Sequence, residues 1–386
     1  MKKVLWVTPG IYPLDGGRQL GSWGYIKAIN NICKLKVVSR LEETVKKNDI
    51  SKATLDGIDV VFEYPYLHRN ILTKFRNLIS KWSSRKLALT PINDAFLSAL
   101  LKTAKTFQPD IIVIDHITMF NYYRILKKKY RNAVFIYNSH NVEYANFTAE
   151  KGRRQFWVEL RKSYEHELLR DCNATLCVSR YDIEDLKKEF CDCNNLLYAK
   201  PLIYFESIRN ENDILKFSKN LLIVGSMNWY PNVRGIIWFI ENVFAKLIID
   251  DPEYKLYLVG NKPMTELRDI AEQYSPNIVL TGWVPDTDTY FRKCDISIVP
   301  VFEGTGAKIK VLESIGKSIP TICSSFAAKD YDVNDELIIA DNAEEFLLAI
   351  KAIQNQTDLR RELVCKMQIY YDSYFKLNPE IQELFE

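Results

Sequence analysis

The sequence predicts an α/β protein built from two doubly wound, Rossmann-like domains, and three observations carry that expectation. Apolar runs of strand length recur with helix-length stretches between them, the runs are continuous rather than alternating, and the whole pattern restarts once, near residue 221. Continuous apolarity marks strands buried on both faces, hence mostly parallel sheets covered by helices. A restart marks a second core. Length agrees, because 386 residues with 47% apolar content exceed one ordinary core and suit two domains of roughly 150 to 200 residues.

In chain order the first set of strands is VLWVT at 4–8, LKVVS at 35–39, IDVVFE at 58–63, IIVI at 111–114, VFIY at 134–137 and TLCV at 175–178. The second is LLIVG at 221–225, KLYLV at 255–259, IVL at 278–280, ISIV at 296–299 and IPTIC at 319–323, with helices such as 233–248 and 264–274 between them. The stretch YFESIRNENDILKFSKN at 204–220 is polar, lacks a clear period and suits an exposed connection. From Asn342 the tail reads as two helices. Domains are therefore drawn at 1–205 and 206–360, with a last helix at 361–386 that crosses back to the first domain. Residues 64–90 mix six Lys and Arg with Phe75, Trp82 and spaced leucines and isoleucines. Such a basic amphipathic segment either lies on an anionic membrane surface or buries one face against the sheet.

Several function classes are disfavoured by composition. Lys plus Arg number 52 against 49 Asp plus Glu, so the charge gives no global nucleic-acid footprint and any anion is bound locally. Pro9 and Gly10 interrupt the first apolar run far short of a signal-peptide core or a membrane span, so a cytoplasmic protein, with at most peripheral membrane contact, is expected. The eight cysteines fall mostly inside apolar elements, where a reduced thiol is a small hydrophobe. Cys191 and Cys193 are too close for a zinc knuckle and have no second pair. No metal is expected.

The stretch VFEGTGAKIKVLESI at 301–315 concentrates the chemistry. Gly304 and Gly306, with Thr305 between them, let the backbone turn tightly after a buried strand, and Ala307 to Ile315 have helix-forming character. Lys308 in the first turn conflicts with the positive end of a helix unless an anion is bound there. Phosphate or diphosphate is the natural anion, with Glu313 able to accept from sugar hydroxyls. The alternative is a solvated lysine and an exposed Lys310–Glu313 pair at i, i+3. DTD at 286–288 imitates a metal-binding carboxylate pair, but it precedes TYFRKC, so Asp286 reads as a helix cap. Gly16 and Gly17 follow the first strand without the G-x-G-x-x-G spacing. His140 is either a satisfied core histidine or a ligand-facing one, and His116, beside Asp115 at a strand end, is an acceptor-side candidate.

Over most of its length the chain resembles the GT-B-fold retaining glycosyltransferases, especially family 4 (glycosyl transferases group 1). The resemblance is strongest through LLIVGSMNWYPNVRGIIWFIENVFAKL, KLYLVGNKP and IVLTGWVPDTDTYFRKCDISIVPVFEGTGAKIKVLESIGKSIPTIC, and the first half adds NSHNVEYANF and YEHELLRDCNATLCVSRYDIEDL. It implies two Rossmann-like domains facing across a cleft, with a sugar moved from a nucleotide-sugar donor to a glycan or lipid-linked glycan in surface polysaccharide synthesis. The nucleotide sugar is then a substrate, and neither cofactor nor metal is required. Carried over residue by residue, Lys308 and Arg234 would face the diphosphate, Glu313 would bind the ribose, the loop of Gly16 and Gly17 would close on diphosphate and sugar, and His140 would sit near the sugar. Many relatives have a second glutamate before Glu313, but Thr305 stands at that position and Glu303 is two residues too early. The rival expectations are a nucleotide-sugar hydrolase or epimerase on the same fold, and a catalytically silent nucleotide-sugar-binding subunit.

Overall fold

The computed structural model describes residues 1–12, 16–41, 50, 55–63, 92–145, 155–193, 195–209 and 211–386. The chain divides into two compact units, Met1–Ile203 with Leu377–Glu386, and Tyr204–Lys376. The segment expected to meet a membrane, 64–90, lies outside the described residues, and among the described residues no helix is long and apolar enough to cross a membrane.

In the first unit the elements run β1 (Lys3–Thr8), α1 (Gly17–Asn30), β2 (Lys34–Arg40), β3 (Val60–Glu63), α2 (Asp94–Phe107), β4 (Ile111–Asp115), α3 (Phe120–Lys129), β5 (Val134–Ser139), α4 (Gln155–Asp171), β6 (Ala174–Cys177), α5 (Arg180–Glu189) and β7 (Leu196–Tyr198). The sheet order is β3-β2-β1-β4-β5-β6-β7, with every pairing parallel. Its two faces bury alternate residues of the same strands: Leu5, Val7, Ile112 and Ile114 on one side, Val4, Trp6, Ile111 and Val113 on the other. Burial on both faces is the reason these strands read as unbroken apolar runs. The edge strand β7 is only three residues long and half-buried, too short and too amphipathic to stand out in sequence.

The second unit begins with α6 (Glu211–Leu215), inside the stretch expected to be a plain connection, then β8 (Asn220–Val224). Helix α7 (Tyr230–Phe239) follows, with Pro231 in its first turn, and passes through one π-helical segment at Ile240–Phe244 into α8 (Ala245–Asp250). Then come β9 (Lys255–Val259), α9 (Thr265–Gln273), β10 (Ile278–Gly282), α10 (Asp288–Lys293), β11 (Ile296–Val299), α11 (Ile309–Gly316), β12 (Thr321–Cys323), α12 (Ser325–Ala328), β13 (Ile338–Ile339), α13 (Ala343–Asn355) and α14 (Thr357–Tyr374). The order is β10-β9-β8-β11-β12-β13, again parallel throughout.

The tail corrects the expected boundary at 361. Helix α14 runs straight through that position and stays with the second unit, where Leu363 joins the core. Only α15 (Pro379–Phe385) belongs to the first unit, where Ile381 and Phe385 are fully buried against Val4, Trp6 and Ile26. Asn378 caps it by accepting from the Glu380 N–H.

In both sheets the strand order reverses at one place, between β1 and β4 in the first unit and between β8 and β11 in the second. At such switch points the loops leaving the strand ends diverge and open a crevice for ligands.

Candidate functional site

The crevice of the second unit is bounded by Gly225, just after β8, and by residues 300–308, after β11. Gly304 and Gly306 have φ of +105° and +73°, conformations that a side chain disfavours and glycine adopts freely. Gly235 on α7 lets that helix touch the end of β11, since a Cβ there would lie 1.7 Å from the Pro300 carbonyl. One close backbone approach and a glycine loop thus keep this end of the sheet bare.

The lysines are placed differently from the expectation. Helix α11 begins at Ile309, so Lys308 occupies the position before it instead of the first turn. Its side chain is buried and folds back over its own loop, donating to the carbonyls of Thr305 at 3.1 Å and Gly306 at 2.7 Å, with its ammonium 5.1 Å from the centre of the Phe326 ring. Backbone carbonyls and a ring thus surround the Lys308 ammonium. The cation that reaches the crevice is Lys310. Its Nζ donates to Asn232 Oδ1 at 2.5 Å and lies close enough that a Cβ on Gly225 would be 3.1 Å away. Burial, then the nearby charge of Lys308, pulls the Lys310 amine down to about 7, against a smaller opposing pull from Glu313. The Asn232 amide is held in turn by donating to the Ser226 carbonyl at 3.0 Å.

Glu313 does not pair with Lys310. It accepts from Thr287 Oγ1 at 3.1 Å, and burial raises its carboxyl to about 7 despite that bond and the charge of Lys317. Lys317 itself is paired with Asp288 at 2.5 Å. Asp286 accepts the Asp288 N–H at 2.9 Å at the start of α10, the capping role read for it. Arg234 is exposed, forks onto Glu303 at 3.1 and 3.2 Å and lies over the Tyr230 ring at 5.8 Å. The early glutamate of the motif is therefore engaged with the arginine expected at the diphosphate.

The first unit gathers a second cluster at its own switch point. Gly16 is the extended residue capping α1, and the helix starts at Gly17; the loop residues 13–15 before them lie outside the described residues. Asp115, the last residue of β4, is fully buried. It receives His140 Nε2 at 2.6 Å and Asn138 Nδ2 at 2.9 Å on Oδ1, and Ser22 Oγ at 2.8 Å on Oδ2. Burial alone would raise its carboxyl, but His140, the charge of Arg18 and a hydrogen bond from Thr8 together hold it well below the usual carboxylate range.

His116 follows with φ +74° and ψ 147°, a strained conformation for a residue with a side chain and one that concentrates at functional sites. Its Nδ1 accepts from the Thr118 N–H at 3.3 Å and meets Thr118 Oγ1 at 2.9 Å, while Nε2 lies 3.1 Å from Glu143, which also accepts from Arg161 at 2.7 Å. Behind it Glu165 accepts the N–H groups of Glu143 and Tyr144, both at 2.9 Å. Burial, then the Glu143 charge, raises Glu165 to about 8. Glu143, Arg161 and Glu165 were not read from the sequence, because their partners are distant in the chain. The only available signal was NSHNVE, which places Glu143 three residues after His140.

His166, Asp192 and Cys193 also bring ligand-type atoms within 4.8 Å of one another. His166 is hydrogen-bonded to Asp192 at 2.6 Å and stacked on Phe190.

Residues 218–356, which contain the whole crevice of the second unit, match the family described as Glycosyl transferases group 1. Residues 62–193 match Glycosyltransferase Family 4, and the two stretches together span well over half of the chain. The chain belongs to this glycosyltransferase family. The fold of this family member agrees with solved structures. Anabaena HepE in complex with UDP and glucose is 12% identical with a TM-score of 0.68, covering 100% of this chain and 99% of that one. Staphylococcus aureus TarM is 11% identical with a TM-score of 0.70, covering 100% and 97%. At that identity the likeness establishes the GT-B fold alone. Two curated relatives share part of the sequence. An uncharacterized 44.6 kDa protein in the cps region of Klebsiella pneumoniae is 25% identical over 167 residues, 40% of this chain and 43% of that protein. Protein CapJ of Staphylococcus aureus is 26% identical over 147 residues, 35% and 37%. The aligned part thus spans about two fifths of each curated relative.

Proposed function

We propose that the protein is a retaining, metal-independent glycosyltransferase that moves a sugar from a nucleotide-sugar donor to a glycan or lipid-linked glycan during surface polysaccharide synthesis. The observation that carries the reading is the cation in the crevice of the second unit: Lys310, half-buried, held on Asn232 and pressed against the bare Gly225 turn. Breaking a sugar–phosphate bond leaves negative charge on the diphosphate, and a fixed cation beside it lowers the barrier, each such donor being worth roughly 100-fold or more in rate. In a front-face reaction the departing phosphate also takes the proton of the attacking hydroxyl, so no base is needed and configuration is retained. Glu313, with Thr287 on one oxygen, is suited to receive ribose hydroxyls. Arg234 exchanges Glu303 for the diphosphate when the donor binds. The UDP and glucose in HepE, and the names cps region and CapJ of the curated relatives, support donor class and pathway.

Lys310 makes the reading testable without knowing the acceptor. Its amine lies near 7 and a diphosphate favours the charged form, so above pH 7 binding must take up a proton. In metal-free buffers, titration calorimetry with a panel of nucleoside diphosphates is expected to find one base that binds, with proton uptake that grows from pH 7 to 8.5. The uptake disappears in Lys310→Met. Lys308→Ala is expected to lower the melting temperature of the unliganded protein, because it releases two loop carbonyls. Binding by no diphosphate, or equal binding by wild type and Lys310→Met, would overturn the donor-site assignment. With the base known, NMR of the transfer product reads whether the anomeric configuration is retained.

A further inference from the structure

We propose that His166, Cys191, Asp192 and Cys193 hold one zinc ion, which pins helix α4 to the turn between α5 and β7. The site lies wholly in the first unit, and the proposal does not depend on the transferase reading.

In sequence, Cys191 and Cys193 argue against zinc because no second pair follows them. The fold supplies the other side of the site from a helix. His166 stands in the second half of α4, 26 residues before Asp192. One of its ring nitrogens, a carboxylate oxygen of Asp192 and Sγ of Cys193 all lie within 4.8 Å of one another. The imidazole is stacked on Phe190, with centroids 4.7 Å apart and planes 8° apart, so the turn that carries the other three residues also sets the plane of the ring. Cys193 is a buried free thiol. Cys191, exposed and also free, is two residues away and near enough for its charge to act on the Cys193 thiol.

Simpler explanations account for parts of this cluster only. A surface hydrogen bond between His166 and Asp192 uses neither thiol. Core packing explains a buried cysteine but leaves the exposed one without a role. A zinc ion employs all four side chains, since one imidazole, two thiolates and one carboxylate make up the four donors of a closed tetrahedral site. Thiolate and imidazole also select against magnesium and calcium, which take oxygen donors.

The distances require a small adjustment. Zinc bonds of about 2.0–2.3 Å place tetrahedral neighbours about 3.3–3.8 Å apart. The 2.6 Å contact between His166 and Asp192 then opens by about 1 Å, while the thiols draw in. Asp192 has the freedom for it, with 47% of its side chain exposed. An ion bound across α4 and the turn stabilises the folded first unit by mass action.

The test uses untagged, reduced protein, stripped by a chelator and titrated with zinc against a chromophoric indicator, then with cobalt(II). The expected result is one ion per chain, a tetrahedral cobalt spectrum with a thiolate charge-transfer band, and a higher melting temperature with zinc. Excess magnesium or calcium should not displace it. His166→Phe keeps a ring on Phe190 and removes the nitrogen, and Cys191→Ser removes a thiolate at an exposed position where folding is not at stake. Each should weaken zinc binding by about 100-fold or more, since a lost ligand costs more than a lost outer partner. Cys365→Ser, at the exposed cysteine of α14 in the second unit, should change nothing. Absence of stoichiometric zinc, a cobalt spectrum without the thiolate band, displacement by magnesium, unchanged binding in His166→Phe or Cys191→Ser, or binding lost in Cys365→Ser would each overturn the proposal.

Discussion

At the scale of single residues, the second unit spends stability on its crevice. Glu313 has its carboxyl raised to about 7, against about 4.3 for a free side chain, because its surroundings desolvate the charge more than Thr287 and Lys317 compensate. A carboxyl whose pKa is raised on folding holds its proton longer in the native state. Stability therefore falls as pH rises from about 4.5 to about 7, and the whole cost is present above that. Glu313→Gln removes the ionisation and is expected to raise the melting temperature at pH 8. The advantage should shrink as pH falls through 7 and vanish near pH 4.5, as followed by thermal denaturation across that range. A variant less stable than wild type at pH 8 would show that the Thr287 bond outweighs desolvation. Sequence named Glu313 and the loop glycines because they lie close together just after a buried strand. It named Lys308 and not Lys310, since 308 and 310 are two residues apart and only the local turn decides which one faces the loop carbonyls and which one Asn232.

At the scale of elements, the glycines separate close packing from simple turns. Helix α7 rests directly on the end of β11 because Gly235 has no side chain. Gly235→Ala should destabilise by about 1–3 kcal/mol, the usual cost of overpacking, although alanine is the better helix former by about 1 kcal/mol. Gly21, inside α1, has nothing among the described residues within 4 Å of a Cβ, so Gly21→Ala should instead stabilise by about 0.4–1 kcal/mol. Urea denaturation of the pair measures both, and two changes of the same sign would contradict the packing described. The eleven strands read from the sequence are present because burial on both faces leaves a continuous apolar record. Strands β7 and β13 escaped for the complementary reason, being short edge strands whose pairing is made by their neighbours and not by their own composition.

At the scale of the whole molecule, the last ten residues complete the first unit, with Ile381 and Phe385 filling its core. Removing 377–386 exposes two side chains worth about 1.5–3 kcal/mol each. The melting transition of that unit should fall by on the order of 10 °C, and scanning calorimetry that found it unmoved would refute the packing role. By itself the sequence determined two parallel α/β cores, their position along the chain, the glycine loop after β11 and the family. These follow from apolar periodicity and from residue types that few other environments tolerate, both local properties of the chain. Only the tertiary structure decided that Lys308 donates to its own loop while Lys310 enters the crevice, that Arg234 holds Glu303, and that Asp115 collects Ser22, Asn138 and His140. Those choices depend on side chains up to 118 residues apart meeting at the ends of adjacent strands, where burial and the direction of each hydrogen bond, not sequence spacing, assign the charge and the proton.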